Sequence, residues 1–322
     1  MTAQEYILST LKALAEPVLI QDIDKIPLED AIFAKVMSKK FRKTKADDDV
    51  IKITKTAIKY AVENKKPVKV GVLFGGNKLW RFEEAPEIDW AELFSLEYYI
   101  QWMKSIASVY EYGANFEYYS QNISIESLNG VPRSETDRYT DTFKAMLEWI
   151  KPYIPENITI TYSLHADEYS DVSEYYAELE EGKKVILANG NGHLPELDDI
   201  QKASTELNVK LKPGQDDDPL WREKVELEHQ AIFETKSLIP YLTDSTIIPT
   251  CPGAFPGLIN PGSTKHSIAK FWAGVGALKK SGDDYHRMVL TPKQLESAEF
   301  EWEEVQIDGL GGKNFKKIRV IR

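Results

Sequence analysis

The sequence predicts an α/β protein, and three observations carry that reading. Residues 68–74, Val-Lys-Val-Gly-Val-Leu-Phe, are mostly β-branched or apolar, as a strand covered on both faces requires. Residues 90–110 place Leu93, Leu96, Ile100, Met103, Ala107 and Tyr110 at helical spacing. Strand and helix patterns then alternate through the first half, the order expected of a sheet with helices packed on its faces.

Taken in order, residues 3–15 set Tyr6, Ile7, Leu11 and Leu14 on one helical face, and Pro17 ends that pattern. A second short helix is expected over 28–38 and a third from the carboxylates Asp47, Asp48 and Asp49 to about Glu63. The basic run 39–45 reads either as solvated surface or as an anion-binding arm. Beyond the 90–110 helix, Gly113 sits where a left-handed cap residue belongs. Residues 114–119 and 123–128 read as strands, with Asn129-Gly130 as a turn. Ser134 and Asp137 open a helix through Ile150, and 158–164 is a further strand. The middle is helical and polar, with a long helix over 219–239. The last third reads as a β-rich return, with strand candidates at 245–248, 271–278, 285–290, 300–307 and 315–321. No Pro/Gly/Ser-rich linker divides the chain, so residues 1–66 are expected as a helical segment packed on a single α/β domain, 67–322.

The chain has 322 residues, 42% hydrophobic and 28% charged, enough for a substantial core. A formal net charge of −11 repels nucleic-acid phosphates and anionic membranes, so neither is an expected partner. The single cysteine, Cys251, forms no internal disulfide. The amino terminus has no signal-peptide pattern and no apolar run reaches membrane-spanning length, which makes the cytoplasm the expected location.

Phosphate-loop, zinc-protease, Cys-x-x-Cys and nucleophile-elbow motifs are absent. The loop Gly75-Gly76-Asn77-Lys78 remains of interest. Ligands gather beyond the carboxyl ends of strands in open α/β sheets; paired glycines admit a ligand and Lys78 meets an anion, unless the loop is a tight turn with a solvated lysine. Asp89 reads as an N-cap; Glu92 is either ordinary helix chemistry or a general base or amine ligand facing that loop. Residues 263–270 place Lys265, His266 and Lys270 among three hydroxyls, either a reactive cluster or a polar surface loop. One of His286 and Arg287 should point inward from its strand, His286 either as a core histidine or beside His266. Arg222, Glu226 and His229 share a helical face that suits a solvated ion-pair network or a substrate contact. His165 and His193 lack metal-ligand spacing, and the tyrosines at 110, 112, 118 and 119 suit a core.

Several of these stretches resemble the isocyanide (isonitrile) synthase family of pyoverdine and dityrosine biosynthesis. They are Phe74-Gly75-Gly76-Asn77-Lys78, Ile88-Asp89-Trp90-Ala91-Glu92, Tyr110-Glu111-Tyr112-Gly113-Ala114 (similar to Tyr-x-Pro-Gly-Ala) and Ser120-Gln121-Asn122 (similar to Ser-Asp-Gly). A second echo is 263–270 followed by Tyr285-His286-Arg287-Met288-Val289, similar to a late Trp-His-Gly-Val strand. The chain departs from the pattern before Gly113, where the proline is missing, and at Gln121, Asn122 and Arg287. The resemblance implies a Rossmann-like mixed sheet with helices on both faces, and a cytoplasmic transferase or lyase of secondary metabolism; the residues themselves call for no cofactor or metal. That enzyme would convert an amino-acid amine with a sugar phosphate such as ribulose 5-phosphate. On it, Lys78, Lys265, His266, Lys270 and His286 supply the phosphate-binding and acid/base groups and Glu92 holds the amine; the expected site is therefore Lys78, Glu92, His266 and His286 as catalytic residues, with Gly75, Gly76, Asn77, Ser120, Arg222, Lys265 and Lys270 as substrate contacts. Two other readings stand: a nucleotide- or nucleotide-sugar-dependent transferase using the Gly75-Gly76 loop, and a non-catalytic binding or assembly protein whose interface is 169–176.

Overall fold

The computed structural model describes residues 1–21, 26–41, 46, 48–75, 78, 79, 82–194, 209, 218–232, 246–248, 258 and 264–322, with backbone alone at 264–266. Two four-stranded sheets enclose one long helix. The first sheet contains β1 (Val68–Phe74), β2 (Ala114–Ser120), β3 (Ile158–Leu164) and β4 (Thr246–Ile247), all parallel, in the order β3-β2-β1-β4. Phe74, Ser120 and Leu164 are register partners at its carboxyl edge. Because β2 and β4 flank β1, the strand order reverses there, which marks the carboxyl end of β1 as the crevice where such sheets hold ligands.

Alternation along the strands divides the core. Val68, Val70, Val72 and Phe74 join Phe116 and Tyr118 in the main hydrophobic cluster. Leu73 and Tyr119 instead join a second cluster on the opposite face. That second layer is built from α5 (Asn122–Asn129), α7 (Val172–Asn189) and α8 (Pro219–Ile232). The main cluster contains the buried faces of α1 (Ala3–Ala15), α2 (Leu28–Val36), α3 (Asp48–Glu63) and α6 (Arg133–Ile150). Residues 1–66 therefore share one continuous core with the sheets.

The second sheet holds β5 (Val275–Ser281), β6 (Asp284–Leu290), β7 (Phe300–Glu304) and β8 (Lys317–Ile321), in the order β6-β5-β8-β7; a short helix α9 (Pro292–Ser297) follows β6. β5 and β6 form a hairpin, β8 runs parallel to β5, and β7 is antiparallel to β8.

The long helix α4 (Trp90–Ala107) lies between the sheets. Tyr99 stacks on Phe116 of β2 at 3.9 Å between centroids, while Glu97 on the same helix bonds Arg287 of β6. Fifteen of its 18 residues are buried, the signature of a helix covered all round rather than along one stripe. Gly276 explains how β5 approaches so closely. A Cβ there would lie 2.5 Å from the Ala91 nitrogen and the Trp90 carbonyl carbon, so the strand packs backbone to backbone on the first turn of α4.

Several expectations differ from the structure. Residues 123–128 form α5, not a strand: Ile123 and Ile125 read as period two, but Ser124 is buried as well, and Gly130 at φ +62° is the helix cap rather than a hairpin turn. Residues 271–273 belong to a run of tight 3₁₀ turns, 264–273, and the strand begins at Val275. α6 starts at Arg133 after Pro132 without a side-chain cap, so the Ser134/Asp137 box does not form. Tyr110, Tyr118 and Tyr119 are core residues as expected, whereas Tyr112 is exposed. Asp47, residues 42–45, Ser245, Cys251 and 233–239 lie outside the described residues.

The Gly276 contact yields a stability prediction. Gly276→Val drives a branched side chain into the backbone of α4, and the unfolding free energy should fall by about 2–3 kcal/mol. Urea denaturation read by circular dichroism measures it, and a loss no larger than that of an exposed strand substitution would contradict the packing described.

Candidate active site at the first turn of the buried helix

The site is built outward from β1. After Phe74 and Gly75 the chain leaves the sheet, and Lys78 folds back beneath the start of α4. Asp89 caps that helix: its Oδ1 accepts from the Ala91 N–H at 2.6 Å and from the Gly276 N–H at 3.2 Å. Glu92 closes the capping box by accepting the Asp89 N–H at 2.9 Å. Both carboxylates then meet one cation. The Lys78 ammonium lies 2.5 Å from Glu92 Oε1, 2.7 Å from Oε2 and 3.5 Å from Asp89 Oδ2. The Tyr139 hydroxyl of α6 donates to Glu92 at 2.8 Å. Lys78, Asp89, Glu92 and Tyr139 are all buried, Glu92 completely.

Two buried carboxylates and one ammonium leave the cluster one negative charge in excess, which burial penalises. Desolvation pushes the Glu92 carboxyl up to about 7 against the pull of Lys78, with Asp89 adding to the rise. Burial alone would depress Lys78, but the charges of Asp89 and Glu92 override it and hold the amine above its ordinary value. The cluster thus keeps a charged lysine and carries one exchangeable proton on Glu92 near neutral pH, as an acid/base centre requires. Asp89 Oδ2 has no hydrogen-bond donor among the described residues, only the Lys78 charge at 3.5 Å.

Asp89 also lines a cleft of about 260 Å³ walled by Glu83, Trp302, Lys313 and Lys317. Arg319 lies 4.4 Å from the ring of Trp302, its cross-strand partner, and pairs with Glu84; Lys317 lies 4.2 Å from the same ring. Asn314 donates to the Glu84 and Ile88 carbonyls at 2.8 and 3.0 Å and pins the loop before α4.

The other candidate residues divide. Gly75 and Ser120 end neighbouring strands at the same carboxyl edge, and Ser120 faces the Tyr162 hydroxyl, whose own titration feels Glu92. Lys270 sits half-buried in the 264–273 turns, between Ala269, which accepts from the Tyr99 hydroxyl, and Phe271, whose ring meets Phe74 at 4.8 Å. Desolvation lowers its pKa, and among the described residues no carboxylate pairs with it. Gly76, Asn77 and the side chains of Lys265 and His266 lie outside the described residues. Arg222 is on α8, on the opposite face of the first sheet. His286 does not join the cluster: it is exposed on β6, paired with Lys279, while Gly276 pairs with Val289. The inward residue of that pair is Arg287, bonded to the fully buried Glu97 at 2.5 Å.

Sequence reasoning missed Tyr139, which carries no motif, and Gly276, which looked like any strand glycine. The Gly75-Gly76-Asn77-Lys78 loop and the Asp-x-x-Glu spacing at 89–92 were the two signals that marked the cluster. Among the described residues no group of His, Cys, Asp and Glu is arranged to hold a metal ion, and no helix is long and apolar enough to cross a membrane.

Titration of Glu92 makes stability pH-dependent in a stated direction. A carboxyl whose pKa rises on folding binds its proton more tightly in the native state, so its contribution is present below about 4.5 and is lost as pH rises toward about 7. Glu92→Gln removes that loss. The stability difference between wild type and variant should shift in the variant's favour by on the order of 3 kcal/mol between pH 4.5 and 7.5. Lys78→Met leaves the two carboxylates without their cation and should cost about 3–5 kcal/mol at neutral pH. Thermal and urea unfolding across that pH range measure both, and parallel pH profiles for wild type and Glu92→Gln would refute the assignment.

No protein-family model matches the chain, and no curated protein matches it in sequence. Among solved structures, the crystal structure of the PvcA protein from Pseudomonas aeruginosa superposes with a TM-score of 0.59 over 92% of this chain and 100% of that one, at 16% sequence identity. At that identity the likeness establishes a shared fold over nearly the whole chain.

Proposed function

We propose that this chain is a small-molecule enzyme of the isonitrile-synthase type, joining an amino-acid amine to a carbon from a sugar phosphate such as ribulose 5-phosphate. The observation that carries the proposal is the buried Lys78–Asp89–Glu92–Tyr139 cluster, set at the strand-order reversal and reached by a cleft. The resemblance over 68–150 and the fold shared with PvcA support the same reading.

The cleft pairs a carboxylate wall with a cationic one. Asp89 receives the substrate ammonium on Oδ2, which has no hydrogen-bond donor among the described residues and shares the Lys78 charge, and Lys313 and Lys317 face the substrate carboxylate. The ionised form of Glu92, populated near its pKa of about 7, takes the proton that the amine must lose through the shared Lys78. The neutral amine then adds to the ketone carbon of the sugar phosphate, water leaves, and the stored proton goes to the departing oxygen. Lys270, half-buried and with its pKa depressed, is assigned with Ser120 at the carboxyl edge of the first sheet to the carbonyl or phosphate partner.

The rival readings fit less well. A nucleotide phosphate at the start of α4 would meet Asp89 and Glu92, which already occupy that helix terminus. In the segment 169–176, Tyr175 is fully buried and Tyr169 nearly so, which leaves Tyr176 as the exposed aromatic of an interface.

Purified protein incubated with ribulose 5-phosphate and a panel of aromatic and aliphatic amino acids should yield an isonitrile, detected by mass and by its infrared stretch. Asp89→Asn and Glu92→Gln should each lower kcat by about 10²–10⁴-fold. No product across the panel would overturn the activity, and full rates in both variants would overturn the site.

A further inference from the structure

A second concave site lies away from the catalytic cluster. A cleft of about 720 Å³ opens where the β5–β6 hairpin meets α1 and the 264–273 turns. Its walls place Lys279, Lys280, His286 and Arg287 beside Tyr6 and Met288. Lys279 and His286 are direct cross-strand partners and share one face of the hairpin. Three ladder positions, roughly 10 Å at the usual rise per residue, separate them from Gly276 and the Asp89 cap.

The electrostatics of this cleft run against those of the chain. The protein carries a formal net charge of −11, yet the cleft gathers four basic side chains. Arg287 is held by Glu97, and the Lys280 ammonium lies 6.0 Å from the Tyr285 ring. Among the described residues, neither Lys279, Lys280 nor His286 has a carboxylate partner. Asp284, which faces Tyr6 near the hairpin turn, spends one oxygen on the N–H of Tyr285. With Arg287 balanced by Glu97, the two lysine ammonium groups without a carboxylate partner are what attract an anion, and the cleft volume suits a metabolite-sized one. Lysines bind phosphate as flexible point charges, while Tyr6 and Met288 offer apolar surface to the remainder of a ligand.

We propose that this cleft is a second ligand site, specific for a small organic phosphate bearing at least two negative charges. It is independent of the catalytic reading, because none of its lining residues belongs to the Lys78 cluster. Arg287 gives the site a physical connection to α4, since the guanidinium that lines the cleft also holds Glu97.

Isothermal titration of the full chain with inorganic pyrophosphate, and in parallel with citrate, tests the site. Saturable binding of pyrophosphate is expected, stronger than that of citrate and weakening as salt is raised. Lys279→Gln with Lys280→Gln changes two exposed residues, and thermal unfolding confirms that the double variant is folded. Its affinity for pyrophosphate should fall at least about tenfold, and His286→Ala should weaken it further. Lys78→Met, where it remains folded, should bind as wild type does, so failure of the catalytic reading leaves this test intact. Absence of saturable binding up to about 10 mM pyrophosphate, a concentration that corresponds to less than about 3 kcal/mol of affinity, would overturn the proposal. Equal binding by wild type and the double lysine variant would do the same. Tighter binding of citrate would replace phosphate by carboxylate as the recognised group and overturn the stated specificity.

Discussion

A buried helix that carries carboxylates must be supplied with cations from its neighbours, and α4 imposes that constraint on the whole molecule. Asp89, Glu92 and Glu97 lie at its start and along its second turn, all shielded from water. Lys78 arrives from the end of the first sheet's central strand, and Arg287 from the edge strand of the second sheet. Each pair ties one sheet to the helix. A fully desolvated charge without a partner is prohibitively costly, so the pairs fix how the layers meet as firmly as the aromatic contacts do. Thr10 of α1 adds a hydrogen bond to Glu97 at 2.9 Å and draws the amino-terminal helix into the same arrangement.

Three carboxylates against two cations do not balance, and the imbalance falls at one place. Arg287 and Thr10 serve Glu97, whereas Lys78 is divided between Asp89 and Glu92. Burial raises Glu92 toward neutrality, and the charge of Asp89 adds to the rise because one shared Lys78 does not offset both. A purely structural cluster has no need of that imbalance. Its position after the carboxyl end of β1, beside a cleft walled by the loop before α4 and by the second sheet, is consistent with where open α/β proteins hold ligands.

Much of the architecture was legible because its periodicities are strong. β1 to β3, α1, α4 and α6 emerge within a residue or a few of the expected bounds, since continuous apolar runs and spaced apolar residues specify them. α5 misleads because a short buried helix and a short strand share the same residue types. The second sheet was legible as β-rich but not as a topology, because β8 inserts between β5 and β7 by a pairing that no local signal records. In the site, Lys78 and Glu92 could be singled out from the loop and the capping box. Tyr139 comes from α6, 47 residues beyond Glu92, and nothing near it in sequence marks the contact. His286 looked reactive by type and strand position; the alternation of side chains instead turns it outward and sends Arg287 to the core.

Gly276 has a consequence for the order in which the chain can acquire its structure. The strand that seals the first turn of α4 lies 187 residues beyond Asp89, whose carboxylate it bonds. During synthesis the first sheet's strands β1 to β3 can pair while the opposite side of α4, including Trp90 and Phe94, is still without its cover. At ribosomal speeds that interval lasts on the order of ten seconds or more. Through it the nascent protein presents a broad apolar helix face and a carboxylate pair with one of its backbone donors missing. The native arrangement is therefore completed from the carboxyl-terminal end, and a chain released before β5 would expose a sticky helix rather than a smaller folded protein.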